Sequence, residues 1–445
     1  MARGSQHPAV LHAAGSAAGF GQSAPGSLTT PGSLQLRQRA TFTRMRRHRL
    51  YVLLALLCAA TSTGAEFGAT RRVTHALVSS AGPSVSSDGR YVGYSSGATK
   101  TYGKNRPHYQ YYITDRRTRR TNLLSVSSRG RMGNGDSGGG SLPDDGRYAA
   151  FASTASNLVP HDDNRTYDVF VRDRGKHTTI RVSVASDASE SHPASLAGAP
   201  VISSDGRFVA FFSDAPDLVP NDRNGTGDVF LHDCQTGTTT RVSVATDGSE
   251  GNGASDPESV AMSSDARFIA FYSQATNLVP AGPGYCAGGT FLRDQVRQTT
   301  FCVAKDGLPT SLSADGRFLA YVALPYPGNM FVYDRVTATT TKLNVGTPEM
   351  PLAGGSNPAI SDDGHYAIFV SFYGNLDSAV FLRDLVAGTT EPVSVGPHGV
   401  LRPATDPAIS GDGRVIVFAS DFGGLVSGQP NKHELEEVYE RASRR

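Results

Sequence analysis

Most of the chain alternates between short apolar runs and polar clusters rich in Gly, Asp, Asn and Ser. A run such as Phe208-Val-Ala-Phe-Phe-Ser213 is apolar throughout, the pattern of a strand covered on both faces. The run Asp228-Val-Phe-Leu-His-Asp233 follows, and then Thr239-Thr-Arg-Val-Ser-Val-Ala245, which is β-branched and alternating like a solvated outer strand. Periodicity of 3.6 residues is not found, so the pattern predicts short strands joined by turns.

Ahead of each fully apolar run stands an acid, usually followed by Gly and then by a basic residue. Asp88-Gly89, Asp145-Gly146, Asp205-Gly206, Asp315-Gly316, Asp363-Gly364 and Asp412-Gly413 carry the pair, and Asp265 stands before Ala266. An Asp-Gly pair suits a tight two-residue turn of type I′, because both central positions need positive φ. Seven copies argue for a structural joint, since a catalytic acid is needed only once or twice. The markers lie 48 to 60 residues apart, a spacing that fits one four-stranded blade of a β-propeller per repeat.

The fold class expected is therefore all-β: a single seven-bladed propeller over residues 66–445. Six or eight blades follow instead if one repeat is aberrant. The seventh repeat has no room after Glu436–Ala442 for an outermost strand. The segment Ala69–Val78 resembles Thr238–Asp247 and supplies the missing one, so the N-terminal strand closes the last blade and removes an open edge. The repeated pattern "SSDGRFVAFFS", "NLVP", "DVFLHD", "TTTRVSV" is similar to the WD40-like repeats of TolB-type β-propellers. That resemblance implies the fold and leaves the function unassigned.

Residues 1–65 have a different character. They hold seven Arg and no acid, and Met45–Ala65 has the basic start, apolar stretch (Leu50–Ala60) and small residues of a secretory signal peptide. Translation starting at Met45 would explain the Ala/Gly/Ser-rich residues 1–44. The expectation is an exported, secreted or periplasmic protein with no membrane span once the leader is removed. The remainder carries 35 basic against 40 acidic residues, a balance that gives no reason to expect nucleic acid. A monomer is expected. Cys286 and Cys302 fall in one repeat, and an exported chain can keep a disulfide between them.

Few positions suggest chemistry. Asp162, Asn164 and Asp168 alternate in one loop, and Asp222, Asn224 and Asp228 alternate in the next, a spacing by which short loops gather oxygen ligands around calcium. The same residues are also ordinary turn formers, and no other cofactor is expected. "GDSGG" (Gly135–Gly139) matches a serine-nucleophile motif but lacks the surrounding strand-turn-helix context. With no Trp in the chain, the sialidase Asp-box is excluded, and no hydrolase-sized domain follows Asp412. These points favour a non-enzymatic propeller that binds a protein, peptide or glycan. A glycan lyase or hydrolase, or a structural envelope component, are the alternatives.

Overall fold

The computed structural model describes residues 67–74, 78–98, 108–164, 166–191, 199–282, 284–325, 327–348, 351–373, 378–427 and 436–443. The leader expected over residues 1–65 lies outside them.

The described chain forms seven four-stranded antiparallel sheets. Blade 3 shows the plan: Val201–Ile202 is innermost, followed outward by Phe208–Ser213, Asp228–Asp233 and Thr238–Arg241. Innermost strands touch their neighbours all the way round, and the seventh, Thr405–Ile409, touches the first, Val78–Val85, so the blades form a closed ring. Each blade buries both faces of its second and third strands against its neighbours. Phe211 and Phe230 are fully buried with ring centroids 5.9 Å apart, and Phe271 and Phe291 repeat the pair one blade on. A lone blade would expose these surfaces, so the array is stable only as a set.

Closure follows the expectation. Arg71–Arg72 pairs antiparallel with Glu437–Ala442, the third strand of blade 7, and Phe67 bridges Ser443. Two further devices tie the blades together. At the outer rim, threonine hydroxyls donate to a carbonyl of the preceding blade: Thr179 to Val126 (2.5 Å), Thr239 to Val184 (2.5 Å), Thr300 to Val244 (2.6 Å), Thr390 to Val345 (2.9 Å) and Thr70 to Val395 (2.8 Å). Near the axis, the residues just before the markers form a hoop of backbone bonds. Ser204 donates to Ser264, Ser264 to Ala314, Ala314 to Asp362, Asp362 to Gly411, and Gly411 to Ser87 across the closure.

The marker turns are tighter in side-chain chemistry and longer in backbone than a two-residue hairpin. In blade 3, Ser203 and Phe208 close the loop, and the Gly206 N–H donates to the Ser203 carbonyl (2.9 Å). Only Gly206 has positive φ (73°), and the Asp205 carboxylate accepts from the Arg207 N–H (2.9 Å) and the Ser203 hydroxyl (2.6 Å). The aspartate thus fastens the turn through its side chain, and type I′ geometry is not adopted. The same carboxylate bonds recur at Asp88, Asp265, Asp315, Asp363 and Asp412, while Asp145 accepts from the Arg147 N–H. Gly89, Gly146, Gly316, Gly364 and Gly413 share the left-handed φ, and Ala266 adopts it in blade 4.

Candidate functional site

Two faces follow from this plan. On the marker face, the turn joining third and outermost strands lies beside the marker turn: the Cys234 N–H donates to the Arg207 carbonyl (2.7 Å), and six other blades repeat the bond. The recurring acids that close the third strands are held there by guanidinium forks. Arg90 pairs with Asp115, Arg147 with Asp173, Arg207 with Asp233, Arg267 with Asp294 and Arg317 with Asp334; His365 faces Asp384 at 3.2 Å. The Arg hydrogen bonds hold Asp115, Asp233 and Asp334 well below the usual carboxylate range. These acids are anchors of the hairpins.

The opposite face carries the long loops between second and third strands. In blades 2, 3 and 4 they share an Ala-x-x-Leu-Val-Pro frame that buries Ala155 and Leu158, Ala215 and Leu218, and Ala275 and Leu278. In blades 2 and 3 the acidic half of the loop then turns back toward the outermost strand. Arg181 and Arg241 occupy the same register there, opposite Phe170 and Phe230.

Each arginine lies inside a cage of carboxylates. Arg181 Nη1 stands 3.6 Å from Asp162, 3.4 Å from Asp168 and 2.5 Å from Glu190. Arg241 repeats the arrangement with Asp222 (3.3 Å), Asp228 (3.4 Å) and Glu250. Asn164 and Asn224 donate to Asp168 (3.1 Å) and Asp228 (2.9 Å), and their carbonyl oxygens accept from the N–H groups of Thr166 and Thr226. The hydroxyls of Ser183 and Ser243 also donate to Asp168 and Asp228. Glu190 and Glu250 accept from the backbone N–H of Asp163 and Arg223, both at 3.1 Å, and so pin the loop tips.

Three carboxylates around one guanidinium leave excess negative charge in a nearly dry site; the side chains of Asp162 and Asp222 are 5% and 4% exposed. Burial, reinforced by the neighbouring carboxylates, pushes both up to about 6. Burial also raises Asp168 and Asp228. The six residues expected to gather oxygen ligands are thus brought together blade by blade. In each blade the two aspartates and a glutamate offer carboxylate oxygens within 4.8 Å of one another, a group of the kind that can hold a metal ion, and in this structure the arginine guanidinium lies among them while the asparagine oxygens accept from backbone N–H groups. Sequence reasoning missed Arg181, Arg241, Glu190 and Glu250. The signal was there: both blades place Arg and Glu at the same spacing after the acidic loop.

Blade 4 has no such cage. Gly289 takes the strand position of Asp228, and Cys302 takes that of Arg241, opposite Phe291. Cys302 is disulfide-bonded to Cys286 in the loop, with Cα atoms 6.0 Å apart. A covalent clamp thus stands where the neighbouring blades use charge.

"GDSGG" contributes no nucleophile. Ser137 is buried in an innermost strand and its hydroxyl meets that of Ser153 (2.8 Å), while Asp136 accepts from the Tyr109 N–H (2.7 Å). Cys234 is half-buried, and burial pushes its thiol up to about 12, far from a reactive thiolate.

No protein-family model and no characterised protein matches the sequence. Solved structures do match in fold. An oligogalacturonate lyase in complex with manganese is 17% identical over 86% of this chain and 94% of its own, with a TM-score of 0.52. The β-propeller domain of the Trilobed protease from Pyrococcus furiosus, described as having an open velcro topology, is 10% identical over 85% of this chain and 94% of its own, with a TM-score of 0.50. TolB from Acinetobacter baumannii is 15% identical over 80% of each chain, with a TM-score of 0.40. At such identities the likeness to the lyase and the protease propeller is one of fold.

Proposed function

We propose that this protein is an exported, monomeric binding module whose long-loop face over blades 2 to 4 takes a protein, peptide or glycan. The observation that carries this reading is that three consecutive long loops are each clamped to the outermost strand of their own blade. A loop fixed before its ligand arrives loses less conformational freedom on binding, and rigid scaffolds commonly present binding loops in this way. The disulfide and the leader pattern support export.

Arrays of glycans and peptides test the reading. Retention is expected for one ligand class, with at least a tenfold loss in an Arg223→Ala, Asp163→Ala variant altered only at loop tips. Retention equal in the variant would move the site elsewhere.

A propeller enzyme acting on glycans is the second reading, drawn from the fold likeness to the lyase. Turnover of a retained polysaccharide would establish it over the first. In either case the cages are held by arginine rather than by calcium. Millimolar calcium added to chelated protein is expected to leave its Tm unchanged, whereas Arg241→Met, which frees three carboxylates, makes Tm rise with calcium.

A further inference from the structure

We infer that the Cys286–Cys302 bond is a redox-sensitive latch that releases the second half of the blade 4 loop while leaving the loops of blades 2 and 3 in place.

The first half of this loop has its own fastenings. Asn277 donates to the Glu250 carbonyl (2.7 Å) and accepts from the Asn252 N–H (2.9 Å), and the Thr276 N–H donates to the Asn252 side chain (2.7 Å). Beyond Pro280 the sequence becomes Ala-Gly-Pro-Gly-Tyr-Cys-Ala-Gly-Gly, with no acid to meet a cation and no cation on the outer strand to meet it. Gly282 and Gly284 both hold positive φ (140° and 83°) in open space, so the tip of this stretch is held from its far side, where Tyr285 packs on the core beside Cys286 and the Gly288 N–H donates to the Ala275 carbonyl (3.2 Å). The disulfide replaces the whole ion cage of its neighbours, and breaking it removes the clamp in one step.

The chemistry balances with a dithiol as reductant. Cys302 is half-buried on the outer strand, whereas Cys286 is fully buried. A thiolate of the dithiol attacks Cys302 Sγ, and the Cys286 sulfur leaves as a thiolate that takes up a proton. The second thiol then displaces Cys302 from the mixed disulfide, giving two cysteine thiols and one oxidised dithiol. Cys234, the third cysteine of the described residues, has a thiol too poorly ionised to compete. Reduction therefore yields a defined open state rather than a reshuffled bond.

Chymotrypsin reads the latch directly, because Tyr285 lies in the blade 4 loop and Tyr167 lies in the blade 2 loop as an internal control. Cleavage after Tyr285 is expected to accelerate at least tenfold when the full chain is treated with dithiothreitol and alkylated, with cleavage after Tyr167 unchanged. A Cys286→Ser, Cys302→Ser variant is expected to match the reduced protein without treatment. Equal cleavage after Tyr285 in both redox states, or acceleration at both tyrosines together, would overturn the latch. A regulatory meaning rests on the binding role proposed above and has its own readout: reduction should weaken retention of the array-identified ligand at least fivefold. If retention is unaffected while Tyr285 opens, the latch stands and the placement of the ligand over blade 4 fails.

Discussion

In six of the seven marker turns a single glycine meets two demands at once, with Ala266 in its place in blade 4. Gly206 holds φ at 73°, and a Cβ built there would stand 2.3 Å from the ring of Tyr148 in the preceding blade. The left-handed backbone costs an ordinary residue about 1–2 kcal/mol, and overpacking costs about 1–3 kcal/mol more. Gly206→Ala is accordingly expected to lose about 2–5 kcal/mol in urea unfolding without changing the fold. The Asp beside it was legible in the sequence as turn chemistry because it recurs. Its mode of action was not, because an Asp can fasten a turn either by tolerating positive φ or by accepting bonds from its neighbours. The structure assigns the second role, and Asp205 leaves positive φ to Gly206.

At the scale of an element, the acidic loop of blade 3 is a strained but compact fastening. An acid whose native pKa lies above its unfolded value holds its proton more tightly when folded. Stability from Asp222 is therefore greatest below about pH 4 and fades as pH climbs from there through about 6. Above that range the ionised carboxylate adds a penalty of about 3 kcal/mol. Asp222→Asn, which stays neutral, is expected to be about 3 kcal/mol more stable than the native chain at pH 7.5 and nearly equal to it at pH 4. Denaturant midpoints at the two pH values check this, and a variant less stable at pH 7.5 would show that the pair with Arg241 outweighs the burial. Strands and loops of this kind were readable from the sequence, since hydrophobic runs and turn residues act locally. The cage was not, because Arg241 and Glu250 reach Asp222 only after the outer strand folds back, and the disulfide's equivalence to the cage depends on register.

For the whole molecule, the decisive junction is the one the chain does not cover covalently. Blade 7 and blade 1 are joined near the axis by the Gly411–Ser87 bond and at the rim by Glu440, which receives Arg116 (2.6 Å) and Arg119 (2.9 Å) from blade 1. Glu440 is 2% exposed, so its charge is held in place by those two partners. Glu440→Gln is expected to lose about 2–3 kcal/mol, with a larger share of the loss in hydrogen exchange of Arg71–Arg72 and Glu437–Ala442 than in the middle blades. Uniform loss across all seven blades would show that the ring opens at no preferred seam. The number of blades and their closure were legible because Ala69–Val78 repeats the outer-strand pattern; the hoop of backbone bonds was not, since main-chain bonds leave no residue signature.

Because Phe67 faces Ser443 in an antiparallel bridge, the seam has the geometry of the third-to-outermost hairpin found in every other blade. A short turn joining these two points would make that hairpin continuous, and new ends could then be cut at another blade boundary. Such a circular permutant keeps all seven sheets, so the architecture is defined by which strands lie side by side and is indifferent to where along the circle the polypeptide starts.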